Sequence, residues 1–194
     1  MDFRTIIANR ITKPLMPAIS RTGFTPNTLT WIGLVINIVA GMMVAMGDFL
    51  VGGLLVLFAG LFDILDGALA RYLQKTTKFG ALLDSTLDRL SEAIVLFGLL
   101  VYGIASADFL GIYLIFGILI GSFLTSYIRA RAEGLGIECR VGLFTRTERV
   151  ILLALGLLFN FILNFLIVVL IILALFSFIT VIQRLVYVFV QTRK

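Results

Sequence analysis

Apolar residues fill six long blocks of this chain, and short polar interruptions between them hold nearly all of its charge. The blocks run over about 29–46, 49–73, 81–103, 109–132, 146–161 and 163–183. Each approaches or exceeds the length an α-helix needs to cross roughly 30 Å of hydrocarbon. The fifth block is the shortest, with a tight outer turn at 160–164. Ahead of the first block, Phe3, Ile7, Ile11 and Leu15 recur at every fourth position beside Arg4, Arg10 and Lys13. That spacing predicts an amphipathic helix over 3–20, lying in the cytoplasmic interface. Thr22-Gly23-Phe24-Thr25-Pro26-Asn27 then breaks the helix. The expected fold is an all-α integral membrane protein with six transmembrane helices and an N-terminal cytoplasmic interfacial helix. It forms a single membrane domain over 1–194, with the juxtamembrane helix in 1–22 and the six-helix bundle in 29–190.

Charge gives this threading a direction. The chain has 16 Lys and Arg, and all of them precede the first block, flank the second-to-third and fourth-to-fifth connections, or follow the last. The opposite connections hold only Asp48 and Asp108. The positive-inside rule then puts both termini in the cytoplasm of a multi-pass cell-membrane protein. Hydrophobic residues make up 60% and charged residues 14%, which excludes an ordinary soluble domain. There is no histidine, so Ser-His-Asp and Cys-His catalysis and His-ligated metals are excluded. The same absence rules out phospholipid enzymes with a nucleophilic histidine. Cys139 is the only cysteine, so the chain has no internal disulfide, and it is expected to be an inert loop residue. Membrane lipids are expected partners, and nucleic acid is not.

Four acids contradict the apolar pattern. Asp63, Asp66, Asp84 and Asp88 lie where lipid or bundle interior is expected. Carboxylates at that depth are costly unless something cationic neutralises them. At 100° per residue, Asp63, Asp66, Gly67 and Ala70 share one arc of the second helix, and Asp84 and Asp88 share a face of the third. Both pairs fall in the cytoplasmic third, where they can meet in one cavity. Gly67 and Ala70 leave room there for a substrate to approach the backbone. Hard divalent cations prefer oxygen ligands, so Mg²⁺ or Mn²⁺ is the expected cofactor. A formal −4 suits two ions that also hold a diphosphate, the arrangement of two-metal displacement chemistry. A carboxylate not consumed as a ligand can serve as general base. Cation conduction, by a non-enzymatic carrier, is the rival reading.

The order Asp63-x2-Asp66-Gly67-x2-Ala70-Arg71-x8-Gly80-x3-Asp84-x3-Asp88 resembles the signature of the CDP-alcohol phosphotransferases at all eight fixed positions. Chance agreement is on the order of one in 10¹⁰ per start site. The family's six membrane helices and juxtamembrane helix agree with the block pattern. The resemblance implies transfer of a phospholipid-type group from a CDP-linked lipid donor to an alcohol, with release of CMP. It makes Asp63, Asp66 and Asp84 metal ligands, and Asp88 a ligand or the base that deprotonates the acceptor. Gly67, Ala70 and Arg71 would line the cytidine diphosphate pocket, with Asn27 and Thr30 of the 25–30 segment approaching the nucleotide.

The second half of the chain bears on the acceptor. Ser126-Tyr127-Ile128-Arg129-Ala130-Arg131-Ala132-Glu133, Arg146-Thr147-Glu148-Arg149 and Gln183-Arg184-Leu185 resemble runs of the phosphatidylinositol-phosphate synthase subfamily. That likeness implies that Arg129, Arg149 and Arg184 bind the phosphate of inositol 1-phosphate. Arg129 and Thr147 depart from the subfamily's Lys and Pro, which leaves phosphate binding firmer than the identity of its sugar. Glycerol 3-phosphate as acceptor and CDP-inositol as donor are the alternatives, and ether and ester lipid chains are equally compatible. Gly117, Gly121 and Thr125 form a small-residue ladder on the fourth helix. Together with the dimers formed by relatives through their third and fourth membrane helices, it gives the expectation of a homodimer.

Overall fold

In a computed structural model, Thr12 and residues 14–193 are described, and every regular element among them is a helix. A short α1 (Met16–Arg21) leads into α2 (Pro26–Ala45), α3 (Phe49–Tyr72), α4 (Lys78–Ala105), α5 (Phe109–Gly134), α6 (Arg146–Leu158) and α7 (Phe165–Gln191). Most of the amphipathic helix expected over 3–20 lies outside the described residues.

Four helices, α2, α3, α5 and α7, are long and apolar enough to cross a membrane. The other two expected spans differ for identifiable reasons. α4 has 28 residues but carries Asp84, Asp88, Arg89 and Glu92 within its first 15. α6 has only 13, about 20 Å, against the 16 expected over 146–161. Its chain leaves the helix at Phe159 and turns through residues 159–164 to a left-handed Asn164 at φ 61°.

The principal helix contacts close a ring in the order α2, α3, α6, α7, α5, α4 and back to α2, with α1 against α3. All six contribute to one apolar core, through residues such as Val44, Val56, Leu96, Ile118, Leu157 and Leu170. A smaller cluster of Met16, Leu29, Ala68 and Leu69 closes the end where α1 lies. The outer surface is apolar too, with Trp31, Leu50, Phe97, Tyr113 and Phe116 at least half exposed. An apolar exterior around a partly polar interior suits lipid as the solvent, because helices satisfy their own backbone groups.

Two close crossings hold the ring. A Cβ at Gly98 of α4 would overlap the carbonyl oxygen of Gly41 on α2, so glycine is required there. On α5, a Cβ at Gly121 would lie 2.7 Å from the Ser177 Cβ of α7. Gly117 faces Phe178 and Thr125 meets Arg184, both on α7. The small-residue ladder is therefore filled by a helix of the same chain, and it no longer argues for a second copy. Asp48 and Asp108, read as outer-loop charges, cap α3 and α5 by accepting from Val51 N at 3.2 Å and Gly111 N at 3.0 Å.

Candidate active site

The signature residues come from the C-terminal half of α3 and the first turns of α4, which enter the same end of the bundle. Asp63 and Asp66 project from α3 and Asp84 from α4. One carboxylate oxygen from each lies within 4.8 Å of the others. Asp66 is 4% exposed, and its Oδ2 accepts from the Thr30 hydroxyl at 2.7 Å. Three converging carboxylates with one donor hydroxyl behind them fit a hard divalent cation. All first contacts are oxygen, and the hydroxyl orients one ligand as outer-shell groups do.

Asp88, one turn further along α4, meets a different partner. Arg146 Nη1, at the start of α6, lies 2.7 Å from Asp88 Oδ1 and 2.9 Å from Asp63 Oδ2. Arg146 thus joins the two helices that carry the acids. In the sequence Arg146 opens the subfamily-like run Arg146–Arg149 but has no role of its own there, because it sits among cations that set topology.

The glycine and asparagine positions also have physical roles. No atom stands closer to a Cβ on Gly67 than Arg71 Nη1 at 3.5 Å, so the space beside the acids is open. Ala70 is partly buried and Arg71 exposed on the same helix end. A Cβ on Gly80 would meet the Thr77 hydroxyl at 2.9 Å and Asn27 Oδ1 at 3.5 Å. The Thr77 hydroxyl needs that place because it accepts from Gly80 N and caps α4. The 27–30 turn at the start of α2 therefore touches both halves of the signature. Asn27 approaches Gly80, and Thr30 holds Asp66.

The three arginines expected to share an acceptor phosphate are in different circumstances. Arg149 is 3% exposed and forms a two-pronged pair with Glu92, Nε to Oε1 at 2.7 Å and Nη2 to Oε2 at 2.9 Å. Nη2 also donates to Ser122 Oγ at 2.9 Å. Arg184 is 5% exposed, donating to Val141 O at 2.9 Å and to Thr125 O. Arg129 is exposed and pairs with Glu133 at 2.8 Å, beside a hollow of about 310 Å³. Ser122, Thr125 and Arg129 stand on successive turns of α5, so the three cations line one side of that helix. Two of the guanidinium groups are already largely satisfied by protein acceptors. Of the five donors on Arg149, only Nη1 retains capacity, its one bond to Phe144 O being long at 3.4 Å. Around these arginines, Gln183 Oε1 accepts from Leu143 N and Thr180 Oγ1 from Phe144 N, which ties the segment before α6 to α7. Glu92 and Ser122 were not read from the sequence. The clue available was Glu92 itself, an acid four residues beyond Asp88 in an apolar block, which requires a cationic partner.

The sequence description of the CDP-alcohol phosphatidyltransferases matches residues 24–189, nearly the whole described bundle. The chain belongs to that family. As a CDP-alcohol phosphotransferase it is an enzyme and not the cation carrier of the rival expectation. It is 36% identical over 189 residues to the archaetidylinositol phosphate synthase of Methanothermobacter thermautotrophicus, covering 96% of this chain and 92% of the relative. Its fold matches the Mycobacterium tuberculosis phosphatidylinositol phosphate synthase crystallised with CDP-DAG bound. That match has a TM-score of 0.84 and 36% identity, covering 92% of this chain and 94% of that one. A structure of the same mycobacterial enzyme in complex with manganese and citrate agrees equally, with a TM-score of 0.84, 36% identity and coverage of 92% and 89%. That relative is thus seen with a CDP-linked lipid and with manganese, and in this chain Asp63, Asp66 and Asp84 form a group that could hold a divalent ion.

Proposed function

We propose that the protein transfers a diradylglycerol phosphate from its CDP-activated form to inositol 1-phosphate, releasing CMP. The observation that carries this reading is the convergence of Asp63, Asp66 and Asp84 at 4.8 Å or less. The near full-length likeness to an archaetidylinositol phosphate synthase supports the acceptor.

The residues divide the work as follows. Asp63, Asp66 and Asp84, with Asp88 as a further ligand, hold two divalent ions, Mg²⁺ or Mn²⁺. When bound, the ions offset the charge of the diphosphate and of the attacking and leaving oxygens. Thr30 fixes the Asp66 carboxylate. Gly67 and Ala70 leave room for the cytidine diphosphate, Arg71 meets its charge, and Asn27 flanks it from α2. Asp88 takes the proton of the inositol hydroxyl as that oxygen bonds to the lipid-bearing phosphorus. The bond from that phosphorus to the bridging oxygen breaks, and the oxygen leaves with CMP. Arg129 and the spare donors of Arg149 and Arg184 attract the monoester phosphate of the acceptor.

In the membrane, all six helices of the ring cross, α6 with the help of the turn that follows it. The chain forms one domain with both termini and the acidic site on the cytoplasmic face, as the one-sided cations support. Two copies associate through the exposed apolar faces of α4 and α5, where Phe97, Phe109, Tyr113 and Phe116 are more than half exposed.

The test is an acceptor panel. Purified protein with CDP-diacylglycerol or CDP-archaeol and Mg²⁺ should release CMP with inositol 1-phosphate, and chelation should abolish the release. Release only with glycerol 3-phosphate would reassign the acceptor. Reaction only from CDP-inositol would reassign the donor.

A further inference from the structure

Arg146 is engaged in a way that the family signature does not describe. One nitrogen, Nη1, contacts both Asp63 and Asp88, at 2.9 and 2.7 Å. The carboxylates that converge within 4.8 Å are Asp63, Asp66 and Asp84, and Asp88 is not among them. Arg146 Nε is buried without a hydrogen-bond partner, one of two such side-chain atoms among the described residues. A buried donor left unpaired is unfavourable, so this side chain is not held in its best-satisfied arrangement. It reaches the site from α6, an element separate from the helices that carry the acids.

We propose that Arg146 is a positioning residue that acts as an internal counter-cation, spanning Asp63 and Asp88 until a second divalent ion displaces it. This rests on the reading of Asp63, Asp66, Asp84 and Asp88 as the metal site. The four carboxylates carry a formal −4, and Arg146 reduces it to −3. The Asp63–Asp66–Asp84 group receives a first ion while Arg146 remains in place. A second ion held between Asp63 and Asp88 uses the oxygens that Arg146 Nη1 occupies, so the two cations exclude each other. Arg146 must then withdraw, and its guanidinium becomes available to phosphate oxygens arriving on the same side. The device offsets the like charges of Asp63 and Asp88 in a poorly solvated region while the site is unloaded.

The direct test is Mn²⁺ binding by the full chain in detergent without nucleotide, with free ion read by electron paramagnetic resonance. The wild type is expected to take one ion tightly and a second about tenfold or more weakly, because a like charge stands within contact distance of the second set of oxygens. Arg146→Gln should tighten the second ion about tenfold, and Arg146→Lys should stay close to wild type. Equal second-ion affinity in the wild type and Arg146→Gln overturns the proposal alone. No Mn²⁺ binding by either protein overturns the metal-site reading and the proposal with it. A wild-type structure at saturating Mn²⁺ provides a check that needs no variant. Arg146 Nη1 should have left both carboxylates, and two bound ions with both contacts intact would contradict the proposal.

Discussion

The acidic centre and the basic centre of this protein are built on opposite principles. At the start of α4, carboxylates from two helices crowd together, with the Thr30 hydroxyl on Asp66 and the Arg146 guanidinium shared by Asp63 and Asp88. At the start of α6, the arginines are nearly saturated. Arg149 gives three hydrogen bonds to Glu92 and Ser122, and Arg184 braces two backbone carbonyls. Three of the acids converge closely enough that they could share a cation. The buried arginines first tie α4, α5, α6 and α7 together, and only their spare donors remain for a ligand. Asp63 and Asp88 share one guanidinium, whereas each buried arginine has several acceptors of its own.

Substitutions can separate these principles, and the largest effect belongs to the acids. Asp66→Asn and Asp84→Asn should each lower metal-dependent CMP release about 10³-fold, roughly 4 kcal/mol of transition-state stabilisation. Thermal unfolding in detergent should change little. A comparable fall in stability would make these acids structural.

The basic centre should respond in the opposite sense. Glu92→Gln and Arg149→Met should each destabilise the fold by about 3–5 kcal/mol, since either leaves a buried charge without its partner. The double variant should lose less than the sum of the two, which a thermal double-mutant cycle measures. Strict additivity would show that the pair is not coupled.

How much of this was legible beforehand differs between the two centres. The acid positions stood out because charges at helical spacing inside apolar blocks have few explanations, and local periodicity put each pair on one face. The block pattern likewise foretold the helices, except that α6 ends at Leu158, where the chain turns through residues 159–164 to a left-handed Asn164. The basic centre was obscure because its partners are distant in sequence. Glu92 and Arg149 are 57 residues apart and Thr125 and Arg184 are 59 apart, and no short-range spacing announces such pairs. The ladder at Gly117 and Gly121 was ambiguous for the same reason. Small residues permit a close neighbour without saying whether it belongs to the same chain.

A smaller effect tests the outer layer of the acidic centre. Thr30→Val keeps the shape of the side chain but removes the hydrogen bond to Asp66, and should weaken Mn²⁺ binding about 10- to 100-fold. Thr30→Ser should restore it. Unchanged Mn²⁺ affinity in Thr30→Val would place Thr30 with the nucleotide alone.

The acceptor phosphate should stay on the inositol and enter the lipid with it, which one product measurement checks. Inositol 1-phosphate labelled in the ring is incubated with the purified protein, a CDP-linked diradylglycerol and Mg²⁺, and the lipid is extracted. Label is expected in an organic-soluble lipid that still carries a monoester phosphate, in equal amount to the CMP released. Label left in the aqueous phase, while labelled glycerol 3-phosphate enters the lipid under the same conditions, would contradict it.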